Sequence, residues 1–172
     1  LFDASDKNVQ VVSAKETNAY DGISMQRTMS ILKLEELENP LILDLFSIQA
    51  DDQNTFDLPL YYVGELMSTN MEFKKNNTLE PMGSTFGYQH LWKEGQGKIS
   101  AENFRMTWFN GENFYTVTFQ ANEADEVLFT RIGANDPSFN LRHDPELILR
   151  RRAGSTLFVT TIEAHGRYNP AD

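Results

Sequence analysis

The stretch NFRMTWFNGENFYTVTF, Asn103 to Phe119, constrains the fold more than any other. Phe104, Met106 and Trp108 alternate with polar residues up to Asn110-Gly111, and Tyr115, Val117 and Phe119 alternate on the way back. Successive side chains of a strand point to opposite faces, so this period of two gives each arm one apolar face. Asn-Gly tolerates positive φ at both central positions of a type I′ turn, whose twist matches the flanking strands. The stretch is predicted to be a β-hairpin.

The same period recurs in Ile23-Met25-Arg27-Met29-Ile31, with Ser24, Gln26, Thr28 and Ser30 on the other side. A helix drawn through Met25, Met29 and Leu32 competes, but Thr and Ile recur and no cap precedes the run. Further strands are expected at Val9–Ala14, Leu41–Ala50, Phe56–Val63, Gly64–Met71, Gly87–Glu94, Asp125–Gly133 and Ser155–His165. Pro59 has no N–H for a ladder, which points to an edge strand or a bulge. LEELENP, ADDQNT, KKNNTLEPMG and EGQGK read as connectors. Some nine or ten strands without a long helix indicate an all-β fold, an antiparallel β-sandwich or layered β-sheet. The 12 Phe, 6 Tyr and 2 Trp exceed what one inner face of each sheet needs. Some of these aromatics are therefore expected against another domain or a sugar.

At 172 residues the chain is expected to be a single β-sheet domain, 1–172. It opens at Leu1 without an initiator Met, a basic n-region or an apolar h-region, and so reads as part of something longer. No apolar run approaches the roughly 18 to 20 residues of a membrane span. The absence of cysteine excludes disulfides and thiolate chemistry, and His90, His143 and His165 match no short metal spacing. A net charge of −10 argues against a nucleic-acid surface. Residues 1–130 carry nine Lys/Arg against twenty Asp/Glu, whereas 131–172 carry six arginines against five carboxylates. Arginine's planar fork suits carboxylates, so the late cluster fits either an anionic ligand or ion pairs with the chain's own acids.

Three segments carry candidate sites. FTRIGANDPSFNLRHDP combines Arg131, Asn135, Asp136, Asn140 and Arg142 with turn-formers, and turn chemistry alone accounts for Gly133, Asn135, Asp136 and Pro137. On a strand, YQHLW would set Tyr88, His90 and Trp92 on one side, as a sugar-stacking platform or a packing surface. IEAHGRYNP places Glu163 and His165 on one strand face, where a carboxylate supports an imidazole base or forms a strand-end ion pair. No Gly-rich phosphate loop, G-x-S-x-G elbow or H-E-x-x-H occurs.

Taken in order, MQRTMSILKLEELENPLILDLFSIQADDQNTFDLPLYYVGELMSTN, LEPMGSTFGYQHLW, RIGANDPSFNLR and IEAHGRYNP resemble the C-terminal β-region of alginate lyases of polysaccharide lyase family 17, in the heparinase II/III-like group. The resemblance spans roughly residues 9 to 170. It implies an α/α toroid followed by a β-sheet domain, acting by β-elimination on alginate oligosaccharides in the periplasm or outside a bacterial cell. The family's H-G-H and H-N-T segments and its zinc ligands have no match here. The resemblance therefore implies a C-terminal fragment that lacks the toroid and first strands, is inactive alone and holds no metal. It also implies that Arg131, Asn135, Asp136, Asn140 and Arg142 support the toroid and cleft. The alternatives are a non-catalytic carbohydrate-binding module and a homodimerisation domain. Partners are then the toroid and an acidic polysaccharide, with neither nucleic acid nor membrane.

Overall fold

The computed structural model describes residues 1–133 and 144–167. The first strands are β1 (Phe2–Asp3), β2 (Val9–Tyr20), β3 (Ile23–Leu32), β4 (Leu41–Ala50), β5 (Asn54–Tyr61), β6 (Glu65–Thr69) and β7 (Lys74–Pro81). A 3₁₀ turn, Tyr88–His90, precedes β8 (Leu91–Lys98), β9 (Asn103–Asn110), β10 (Asn113–Gln120), β11 (Glu126–Ile132), β12 (Pro145–Ala153) and β13 (Thr156–Arg167). Among the described residues there is no α-helix.

Two antiparallel sheets form a sandwich. One has eight strands in the order β1-β2-β3-β4-β13-β10-β9-β6, the other five in the order β5-β12-β11-β8-β7. The core lies where they overlap: Phe104, Met106, Val117, Phe119 and Phe158 of the wide sheet meet Leu58, Val127, Phe129, Leu147 and Leu149 of the narrow one. Burial of each such side chain contributes about 1.5–3 kcal/mol. Leu128, Thr130, Glu146 and Ile148 are also buried but face away from that core.

The expected hairpin is β9–β10, paired from Asn110↔Asn113 to Asn103↔Gln120. Its two-residue loop is Gly111-Glu112, and Gly111 alone takes positive φ, at 64°. A single left-handed glycine at the first central position is the type II′ pattern, so the register closes one residue later than Asn-Gly at the centre requires. Pro59 does lie on an edge strand, β5.

Other expectations are corrected. Gly87–Glu94 is not one strand: Phe86 and Gly87 have φ of 59° and 89°, the chain turns, and extension begins only at Leu91. Tyr88, His90 and Trp92 therefore do not share a strand face. KKNNTLEPMG and EGQGK, read as connectors, supply β7 and most of β8, because edge pairing in the narrow sheet overrides their turn propensity. β2 extends six residues beyond Ala14 to Tyr20, across an irregularity after Glu16.

Candidate functional site

The sequence-distant segments YQHLW and FTRIG come together at one end of the narrow sheet. Arg131 pairs with Trp92 and Ile132 with Leu91 across β11 and β8, and Gly133 N–H donates to the His90 carbonyl at 2.8 Å. A register shift between Phe129 and Thr130 leaves Glu94 as the extra residue of β8. Arg131 Nε donates to Glu94 Oε1 at 2.7 Å, and both side chains are partly exposed.

This pair lines a cleft of about 640 Å³ together with Tyr62, Lys75, Asn76 and the apolar Leu66. Its far wall is the β5–β6 connection. There Gly64 has φ 118°, and a Cβ on it would sit 2.0 Å from the Phe109 carbonyl oxygen. Only glycine lets these backbones approach so closely. The Tyr62 ring packs on Trp108, centroids 5.7 Å apart, which fixes the wall to β9.

The outer face of the same sheet carries two polar groupings. Arg150 grips Asp57 bidentately, with both N···O distances 2.7 Å, and the Tyr88 hydroxyl donates to the same carboxylate at 2.5 Å. Beside them the Thr130 hydroxyl donates to Glu146 Oε2, while Glu146 Oε1 has no hydrogen-bond partner among the described residues. Burial raises the Glu146 carboxyl above its ordinary range. Partial desolvation, and then the neighbouring Glu146, pushes the half-exposed Tyr61 phenol up to about 12. Burial and then the hydrogen bond to Asp57 push Tyr88 to about 12, and burial followed by Glu94 raises Tyr62. All three phenols are thus neutral hydrogen-bond donors at neutral pH, unsuited to remove a proton.

Of the residues singled out in the sequence, the fold gathers Arg131, Tyr88 and His90 at this end. His90 closes the 3₁₀ turn and is exposed. Asn135, Asp136, Asn140 and Arg142 lie outside the described residues. His165 is elsewhere, on the outer face of the wide sheet: its Nε2 is 2.8 Å from Thr116 Oγ1 and its Nδ1 3.4 Å from Glu163 Oε1. Tyr62, Glu94, Asp57 and Glu146 carry no local sequence signal, because only strand pairing makes them neighbours. Arg131, Arg150 and Arg151 are each ion-paired with a carboxylate of the chain, the second of the two uses open to the late arginines. Among the described residues no three His, Asp or Glu side chains converge on a metal-binding position.

Over 170 residues the chain is 38% identical to an exo-oligoalginate lyase of Saccharophagus degradans, a match that covers 96% of this chain. It matches one part of an alginate lyase. An alginate lyase of Stenotrophomonas maltophilia is 34% identical over 170 residues, covering 98% of this chain. The chain spans only 23% of the length of either relative. No family model matches it. The heparan sulfate lyase HepC of Pedobacter heparinus shares the fold at a TM-score of 0.56 and 10% identity, over 97% of this chain and 22% of that one. The match to alginate lyases agrees with the resemblance carried by RIGANDPSFNLR, and the heparan sulfate lyase shares the sandwich architecture.

Proposed function

We propose that this chain is the β-sheet wall of an alginate or oligoalginate lyase, which supports the substrate cleft while other parts of the enzyme perform β-elimination. That reaction neutralises a uronate carboxylate, removes the C5 proton and protonates the departing C4 oxygen. The observation that carries the reading is the cleft in which Arg131 stands beside Tyr62: a guanidinium and a neutral phenol next to apolar Leu66. Such a surface can hold and orient an acidic, hydroxylated ligand, and its one phenol, Tyr62, is raised and stays neutral. The net charge of −10 repels a polyanion, so contact is confined to the cations of this cleft, Arg131 and Lys75. A periplasmic or secreted location fits such a substrate.

The test is kinetic. Arg131→Ala in the full-length enzyme is expected to raise KM for alginate oligosaccharides about tenfold, the loss of one charge-assisted hydrogen bond, with kcat little changed. The 172-residue chain alone should form no ultraviolet-absorbing unsaturated product and should bind the oligosaccharides only weakly. Turnover by the isolated chain contradicts the reading, and submillimolar binding by it favours a carbohydrate-binding module.

A further inference from the structure

The eight-stranded sheet is wider than the five-stranded sheet that covers it, and one row of side chains records where the cover ends. Cross-strand pairing aligns Phe2, Val12, Met29, Asp44, Thr160 and Phe119 on a single face. Along that row exposure falls from 74% at Phe2 through 48% at Val12 and 37% at Met29 to 5%, 4% and 1% at Asp44, Thr160 and Phe119. The face is the inner one, because Ile23 and Met25 on the same side of β3 pack into the core. Arg27 marks the rim: it clamps Asp44 with an N···O distance of 2.7 Å and lies over Phe46. Beyond that rim β1, β2 and β3 present Phe2, Val12, Met29 and Ile31 on the core-facing side, with polar Gln10 and Glu16 at either end of the β2 row and nothing of the described chain above them.

We infer that this overhang is a docking surface for polypeptide of the same parent chain that lies outside these 172 residues, an apolar helix or strand face that extends the sandwich core. Area decides against a free partner. Strands of 2, 12 and 10 residues, about 4.8 Å apart, offer at most on the order of 400 Å², half of the about 800 Å² per partner that a stable interface between separate molecules buries. A covalently attached segment needs far less surface, because tethering holds it at an effective concentration of about millimolar. The matched relatives supply such a segment, since this chain spans only 23% of their length. The inference rests on the reading of the chain as part of a longer lyase.

The chain has no cysteine, so a single engineered thiol reports the surface cleanly. Met29→Cys and, separately, Val12→Cys are made in the 172-residue chain and in the full-length natural polypeptide. Iodoacetamide labelling of that peptide is followed by mass spectrometry and scaled to the same variant in denaturant. Labelling at least about tenfold slower in the full-length polypeptide supports the docking. Equal labelling overturns it, as does a natural polypeptide no longer than this chain. Protection in the 172-residue chain that is lost on dilution also overturns it, in favour of a second copy. Alginate turnover by the same full-length samples separates the two readings: turnover with free labelling sinks the docking alone, and protection without turnover sinks the lyase reading alone.

Discussion

Arg151 of the narrow sheet holds Asp125 at 2.6 Å inside the sandwich, and the same guanidinium is bonded to the wide sheet. Its Nη1 donates to Thr156 Oγ1 and to the Leu157 carbonyl, and its Nη2 to the Gln120 carbonyl as well as to Asp125. With Nε also on Asp125, every donor of the fork has a partner, and the plane lies 4.7 Å from the Phe158 ring centroid. Arg151→Met strands a buried carboxylate, so it is expected to cost about 3–5 kcal/mol in denaturant unfolding. Arg151→Met with Asp125→Leu should recover most of that loss. A single substitution as mild as a surface one would show that the pair is not the joint between the sheets.

Glu146 gives a pH dependence of definite sign. Its folded pKa is raised above 4.5, so the native state binds the proton more tightly than the unfolded chain. The carboxyl's stabilising contribution is complete below that ordinary value and is lost as pH rises through the folded one. Glu146→Gln removes the buried charge, and its Tm should exceed that of the parent protein at pH about 8 and converge with it near pH 4. Parallel Tm curves across that range would contradict the assignment.

Two phenols, Tyr61 and Tyr88, are held near 12 against an ordinary 10.0. Ultraviolet titration of tyrosinate is expected to show a late step carrying two of the six tyrosines, reduced by one in Tyr61→Phe and by one in Tyr88→Phe. The stability tied to the neutral phenols is present below about pH 10 and declines as pH passes through 12.

Gly64→Ala tests the cleft wall. Positive φ and a Cβ 2.0 Å from the Phe109 carbonyl force the backbone to move, so a loss of about 2–4 kcal/mol is expected. Hydrogen exchange should quicken first at β6, the edge strand paired with β9 on this side. Unchanged thermal stability would mean that the two backbones do not approach so closely.

Much of the fold was legible where local alternation is strong. β4 runs Leu41–Ala50 as its pattern predicts, β9–β10 is a hairpin, and Pro59 sits on an edge. Glu163 and His165 share a face and approach to 3.4 Å, as spacing of two on a strand allows. Legibility fails where the pairing partner outweighs local preference. Lys74–Pro81 is rich in turn-formers yet becomes a strand beside β8, and Tyr88–His90 coils because Phe86 and Gly87 have already turned the chain. Arg131 stood out in the sequence as a late arginine; Glu94, which it holds, and Glu146, which burial perturbs, did not.

Two properties are written in the order of residues itself: the period of two, hence strands with one apolar face, and the family, through extended runs such as RIGANDPSFNLR. Tertiary packing settles that eight strands lie over five, that Arg151 joins them, and that Phe2, Val12 and Met29 project past the cover. The reason is physical. Alternation fixes which side of a strand is apolar within a few residues, whereas the surface that meets that side is set by strands as distant in sequence as β4 and β13, through contacts no local pattern encodes.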